Sequence, residues 1–366
     1  MKEYYELTDK LWRELIIIPS PSHHEERRAQ YICDTLHSWG AETAYIDEAY
    51  NVVLKIDGEV NEAVVFAAHI DTVFPDMEPM TFTEDEKNIY GPGCGDDTAS
   101  VAMLMTVVKY IIDSRKKPER SLIFAFDSCE EGLGNLKGIK TIMNRYGTDV
   151  TQFYTFDGKY HRVANVSVGS HRYKVTVKTE GGHSYSAFGN KNAAHILAKG
   201  INAIYDIQVP LKGGKTTYNV GLISGGTSVN TIAQKAEMFC EYRSVSHDNL
   251  EYMKRCFEEI FEYMRSRGAE VEVELVGERP CMQNVDDAAM REMTQLCVDV
   301  QKKHSGCDIE LVSSSTDCNI PHSMGIPAIC VGTYMGDGTH TREEWVEKAS
   351  IPKGVEIVRD IVEHYF

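Results

Sequence analysis

Val64-Val65-Phe66-Ala67-Ala68-His69-Ile70-Asp71-Thr72-Val73 is the stretch around which the chain is organised. An unbroken apolar run of this length reads as a strand buried on both faces. It stops at two chemically active side chains, His69 and Asp71, and residues two apart in an extended segment point to the same side. Four later stretches end in acid or histidine in the same way: Gly95-Asp96-Asp97, Cys129-Glu130-Glu131-Gly132, Phe156-Asp157-Gly158 and Gly338-Thr339-His340.

Outward from that strand the pattern alternates. A helix is predicted over about residues 4–16, stopping before Pro19. Ser22-His23-His24-Glu25 has the capping-box form and is expected to open a second helix with Ala29, Ile32, Leu36 and Trp39 on one face. Strands are expected near 43–47, 51–57 and 63–69, a strongly apolar helix over 98–113, and a doubly buried strand at Ser121–Phe126. A helix near 135–146 and a strand near 152–156 continue the series. Alternating strand and helix implies an α/β fold, a mostly parallel sheet with helices on both faces. Sites in such sheets form at the carboxyl ends of strands, where these acids lie.

The texture changes near residue 167. A strand at 170–179, a helix at 191–204, strands at 216–223 and 233–243, a helix at 247–266 and a strand at 269–276 follow. That order, β-α-β-β-α-β, is a ferredoxin-like unit. After about 280 the earlier pattern resumes, with a helix at 286–303, strands at 308–313 and 327–331, and a last helix from Ser350. We therefore expect one domain made of residues 1–166 and 280–366, carrying an inserted domain at 167–279.

With hydrophobic residues at 42% and charged residues at 25%, the composition is that of a globular protein. A net charge of -17 disfavours nucleic acid or an anionic membrane as partner. Ten scattered cysteines, none in a Cys-x-x-Cys pair, argue against a disulfide scaffold or a zinc knuckle and suit a reducing cytoplasm. The apolar run Leu15–Ile18 is too short to span a bilayer, and the N-terminus lacks a signal-peptide core.

Five strand ends bearing carboxylates and imidazoles point to a pair of divalent cations. Two ion positions sharing one carboxylate need about five protein ligands. We assign His69, Asp96, Glu131, Asp157 and His340, with Asp96 as the shared donor and Asp97 as its competitor. Gly91, Gly93 and Gly95 let the backbone bend sharply beside it. Of the pair Glu130-Glu131, Glu131 is read as ligand and Glu130 as general base. Asp71 either fixes the tautomer of His69 or orients the catalytic acid.

The ordered set His69-x-Asp71, Asp96, Glu130-Glu131, Asp157, His340 resembles the di-zinc metallopeptidase family of peptidase T, aminoacylase, acetylornithine deacetylase and the glutamate carboxypeptidases. The resemblance spans the whole chain. It implies that His69, Asp96 and Asp157 hold one zinc (cobalt or manganese being substitutes), and that Asp96, Glu131 and His340 hold the other. It makes the insertion a lid and dimerisation module, hence a homodimer. In Gly181-Gly182-His183-Ser184 it implies that His183 polarises the scissile carbonyl. It also implies substrate contacts from Asn230, in Gly225-Gly226-Thr227-Ser228-Val229-Asn230, and from Arg243, a guanidinium fork for a substrate carboxylate. Ser315-Thr316-Asp317-Cys318 matches a further family segment without an assigned role. The Arg usual in the Gly-rich segment is Pro92, and Asp157 stands where many deacylases carry Glu. The segment Gly95-Asp96-Asp97 also resembles the peptidase T branch more than the deacylases, and these points favour an exopeptidase removing the N-terminal residue of short peptides. A deacylase of N-acyl amino acids is the alternative on the same site. A catalytically dead binding protein would have lost a ligand or the base, and none is missing.

Overall fold

The computed structural model describes residues 1–366. The chain forms two compact units, Met1–Ser167 with Gln283–Phe366, and Val168–Met282.

The larger unit is built on an eight-stranded sheet. Its spatial order is Tyr45–Ile46, Val52–Ile56, Arg120–Asp127, Val60–His69, Val150–Phe156, Ala328–Val331, Arg162–Ser167, Glu310–Ser314. The four central strands, from Arg120–Asp127 to Ala328–Val331, run parallel. The two strands before them are antiparallel, as is Arg162–Ser167 against Ala328–Val331. The sheet is thus mostly parallel, as the alternation implies.

Val60–His69 is covered on both faces. Ala63, Val65 and Ala67 pack with Leu136, Ile139, Ile142 and Met143 of the Lys137–Tyr146 region. Phe66, on the opposite face, stacks on Phe124 at 5.7 Å and Tyr154 at 5.5 Å and meets Tyr365 edge-on at 5.8 Å. Each such fully buried side chain contributes roughly 1.5–3 kcal/mol. The helix Thr98–Ser114 has twelve buried residues and packs with Lys2–Ile16 and Ile351–Glu363. It is enclosed nearly all round, as its apolar sequence demands.

Three features differ from the sequence reading. The second helix is Glu26–Ser38, begins without a side-chain cap, and does not use Ser22. The Ser22 hydroxyl donates instead to Asp71 Oδ2 at 2.6 Å. A strand at Arg162–Ser167 was not foreseen, and neither was a small antiparallel sheet in the order Gly336–Asp337, Trp345–Glu347, Asn88–Tyr90, Thr83–Glu84. These pieces are too short to show a period. The small sheet has a consequence for the site: its pairing of Trp345 with Tyr90 ties the loop that carries His340 to the loop that carries Asp96.

The second unit is a four-stranded antiparallel sheet in the order Thr216–Gly225, Lys235–Ser244, Gly169–Lys178, Glu270–Arg279. Helices Ala193–Tyr205 and His247–Ser266 pack on one face, over Ala236, Met238, Cys240 and Tyr242. Intervening residues such as Glu237, Glu241 and Arg243 face the other way, as strand alternation requires. The chain order is β-α-β-β-α-β with short additions, among them a two-residue pairing of Gly182–His183 with Thr231–Ile232.

Candidate metal centre

The carboxyl ends of the parallel strands deliver the donors. His69 closes Val60–His69, Asp157 follows Val150–Phe156, and Glu130–Glu131 follow Arg120–Asp127. Asp96 arrives on the Gly-rich loop before Thr98–Ser114, and His340 on the loop between Gly336–Asp337 and Trp345–Glu347.

Their ligand atoms form two triads, His69 with Asp96 and Asp157, and Asp96 with Glu131 and His340; within each they lie inside 4.8 Å. Asp96 belongs to both. A third grouping joins His69 to Glu130 and Glu131, which puts the Glu130 carboxylate beside the same centre. His69 Nε2 lies 3.0 Å from Asp96 Oδ1, and His340 Nε2 lies 3.2 Å from Asp96 Oδ2 and 3.0 Å from Glu131 Oε1. Asp97, the competitor for Asp96, is fully buried at the start of the helix and falls in none of these groups.

The electrostatics follow from the crowding of these groups. Burial, then the neighbouring Asp96, pushes Asp157 up to about 7. Burial also raises Glu131, and it holds Asp97 well above the usual carboxylate range. Hydrogen bonds to Asp96 and Glu131 push His340 up to about 10. Burial opposes charge on His69, yet its contacts with Asp71 and Asp96 hold its pKa well above the ordinary value. Crowded carboxylates thus favour the cationic form of both imidazoles, as they would favour any cation placed among them. Oxygen and imidazole donors crowded under low exposure fit divalent cations of the zinc, cobalt and manganese type. A further group, His304 with Glu356 and Asp360, does not fit. Lys303 at 2.6 Å and Arg359 at 2.7 Å already neutralise Asp360.

Asp71 works on the Glu130 side. His69 Nδ1 donates to the Asp71 main-chain carbonyl at 3.1 Å, while the nearest Asp71 carboxylate oxygen is 3.5 Å away. That carboxylate accepts the main-chain N–H of Glu130 at 2.9 Å and of Glu131 at 3.0 Å. Of the two roles the sequence left open, this geometry serves orientation of the acidic pair.

Several supporting residues were not singled out from the sequence. Glu25 Oε1 accepts the Cys129 N–H at 3.2 Å, so two buried carboxylates hold three successive amides of the 129–131 turn. Arg28, 1% exposed, donates to the carbonyls of Leu15, Ile18 and Ile70. It ties the end of the first helix to the strand end beside His69. Glu344 accepts three amides of the loop carrying Asp96. The signal for Glu25 was present, but it was read as a helix cap.

That loop also explains its glycines. Gly93 has φ +65, and a Cβ there would stand 2.8 Å from Thr72 Cγ2. A Cβ on Gly95 would stand 2.7 Å from Glu344 Oε1 and 2.8 Å from the Tyr334 ring.

In the second unit, His183 and Asn230 are brought together. His183 pairs with Thr231, and the Ser184 N–H donates to the Asn230 carbonyl at 2.9 Å. His183 is exposed, and its Nδ1 accepts the Tyr185 N–H at 3.2 Å. Arg243 lies at the far end of Lys235–Ser244 from Asn230, and its fork is engaged by both oxygens of Glu241 at 2.8 and 3.0 Å. The sheet-surface ion pair is what this residue makes.

A donor cluster of this kind at the carboxyl ends of a mostly parallel α/β sheet defines a metallohydrolase class. The chain belongs to peptidase family M20/M25/M40, whose model matches residues 65–364. The fold is similar to that of a tripeptidase from Staphylococcus aureus, with a TM-score of 0.80 and 20% identity over 99% of this chain and 98% of that one. It is similar also to aminopeptidase PepT from Bacillus cereus, at a TM-score of 0.76 and 21% identity over 99% and 98% of the two chains. Among curated sequences, a probable carboxypeptidase of Arthroderma benhamiae is 26% identical over 62% of this chain and 55% of its own length. The chain thus spans little more than half of that relative. No helix is long and apolar enough to cross a membrane.

Proposed function

We propose that the protein is a di-metal aminopeptidase that removes the N-terminal residue of short peptides. The observation that carries this reading is the pair of donor triads sharing Asp96, with Glu130 beside them. His69, Asp96 and Asp157 would hold one ion, and Asp96, Glu131 and His340 the other, most simply zinc. Such a pair supplies a lowered pKa to water and polarisation to a carbonyl. Glu130, held by the Asp71 contact to its amide, takes the proton of the attacking water on its carboxylate and returns it to the leaving amine. His183, with Nδ1 engaged by its own loop, would donate from Nε2 to the carbonyl oxygen. Asn230 beside it would be a further substrate contact. Arg243 would serve a substrate carboxylate only by giving up Glu241.

Asp157 and the Gly95-Asp96-Asp97 segment support the aminopeptidase choice, as do the tripeptidase and PepT neighbours. The probable carboxypeptidase among the relatives supports release from the other end. The homodimer we propose forms through the inserted unit. Its edge strand Thr216–Gly225 supports this, with Leu222 65% and Ile223 62% exposed. Ten free cysteines support a reducing, cytoplasmic location.

The test is hydrolysis of tri-alanine, its N-acetyl form and its C-terminal amide by protein loaded with zinc, cobalt or manganese. Cleavage of the free and amidated peptides, with the acetylated one untouched, is expected. Release of alanine from the acetylated peptide, with no release of acetate, would make the enzyme a carboxypeptidase. Release of acetate would make it the deacylase.

A further inference from the structure

Glu344 is 1% exposed and lies four residues after His340, and it is not among the donors. Its carboxylate is spent on main-chain amides. Oε2 accepts the Gly93 N–H at 2.8 Å, and Oε1 accepts those of Gly95 at 3.0 Å and Asp96 at 2.8 Å. Its main-chain carbonyl accepts the Gly91 N–H at 2.9 Å and the Cys94 thiol at 3.6 Å. Its own N–H donates to the Thr341 carbonyl at 3.3 Å. Five contacts thus run from the loop of the shared donor Asp96 to one residue on the loop of His340.

We propose that Glu344 is a positioning residue that clasps these two loops and sets the affinity of the Asp96–Glu131–His340 ion position. The inference rests on the reading of Asp96 and His340 as metal ligands. A carboxylate suits the task because it can accept on both oxygens at once, and ionised acceptors make the stronger hydrogen bonds. The alternatives each fail differently. A glutamine accepts on one atom only and turns an NH2 donor towards an amide that is itself a donor. An aspartate keeps the charge but is one methylene too short to span from Gly93 to Asp96. The packing around Gly95 leaves no side chain to take over the contact, because a Cβ there would already strike Glu344 and Tyr334. The other ion position should feel the loss less. His69 and Asp157 are strand-borne, and nothing in their placement passes through Glu344.

The experiment measures two stepwise zinc dissociation constants by chelator competition for wild type, Glu344→Gln and Glu344→Asp. Exposed Glu343→Gln serves as the control, and the circular dichroism of each metal-free protein reports folding. The expected result is a second ion bound about 10–100-fold more weakly in both Glu344 variants, the range for residues that orient ligands. The first constant should shift less, and Glu343→Gln should match wild type. Excess zinc should restore kcat in Glu344→Gln with KM unchanged. Wild-type constants in a folded Glu344→Gln would overturn the proposal. Wild-type constants in Glu344→Asp would reduce Glu344 to a bare charge and overturn the clasp. Should Glu344→Gln not fold, Glu344→Asp alone decides. A wild-type protein that binds fewer than two ions would instead sink the di-metal reading, so the two failures are distinguishable.

Discussion

The two donor triads share Asp96 but stand on different foundations. His69 ends a central strand, is 1% exposed, and has its other ring nitrogen fixed by the Asp71 carbonyl. His340 sits on a loop at φ +65 with its side chain 53% exposed. One half of the centre is preorganised by the sheet. The other is assembled from loops and depends on what fastens them, chiefly the small sheet and Glu344. The lesson is that a symmetric list of five candidate ligands conceals an asymmetric site.

The largest effect should come from the residue the halves share. Asp96→Ala removes a donor from both triads, and elemental analysis should find both ions lost and turnover gone. One ion retained at wild-type affinity would break the description of Asp96 as common to both. Next comes Glu130→Gln, which belongs to neither triad of ligands. Two ions should remain while kcat falls roughly 10²–10⁴-fold, the usual worth of a positioned acid–base group. Retained turnover would remove Glu130 as base.

The contrast itself is tested by His69→Ala against His340→Ala. The second should keep one ion per chain, and its metal-free form should melt only modestly lower, because the contacts of His340 with Asp96 and Glu131 are made by a side chain 53% exposed. The first should lose ion binding more broadly and melt lower, because it empties a buried, hydrogen-bonded position at a cost of about 1–3 kcal/mol. Equal stoichiometry and equal melting in the two variants would erase the asymmetry.

Acidity gives a further, smaller reading. In the metal-free protein Asp157 is raised to about 7 and His340 to about 10. For each, the folded state binds more protons than the unfolded state between the ordinary pKa and the raised one. Stability must therefore fall as pH rises through that window. The metal-free protein should melt lower at pH 8 than at pH 6. Metal, which takes the deprotonated ligands, should remove or reverse that slope. A metal-free protein that melts higher at pH 8 would contradict the crowding described for the cluster.

How much of this was legible in the sequence follows the same division. The strand-borne donors were readable because an apolar run ending in His69 or Asp157 carries its own signal, and a parallel sheet says where such ends meet. The large sheet and the insertion were readable for the same reason, from period and alternation. The fastenings were not. Glu344, Glu25 and Arg28 act through main-chain groups far away in sequence, and no local pattern marks a carboxylate destined to accept amides. The two- and three-residue strands of the small sheet have no period to detect. Arg243 carries two readings at once. Its place beside Tyr242 matched a family position, yet Glu241, two residues earlier on the same strand face, offers it a partner of opposite charge. That pairing is legible in the strand's own alternation.

Ser22 yields the smallest effect and the finest test. It was read as a helix cap, but its hydroxyl donates to Asp71 Oδ2, whose carboxylate also holds the amides of Glu130 and Glu131. Ser22→Ala removes one of three donors and leaves the other two, so the cost should be about 1 kcal/mol of stability. Because Glu131 belongs to the loop-built triad, a slackened Asp71 could reach the second ion only through that residue. If the loop half depends chiefly on Glu344, Ser22→Ala should shift the second zinc constant by less than about threefold, well short of the Glu344 variants. A loss as large as theirs would mean that the second triad is set from the Glu131 side as much as from the His340 side. The weaker half of the centre would then owe its weakness to no single loop.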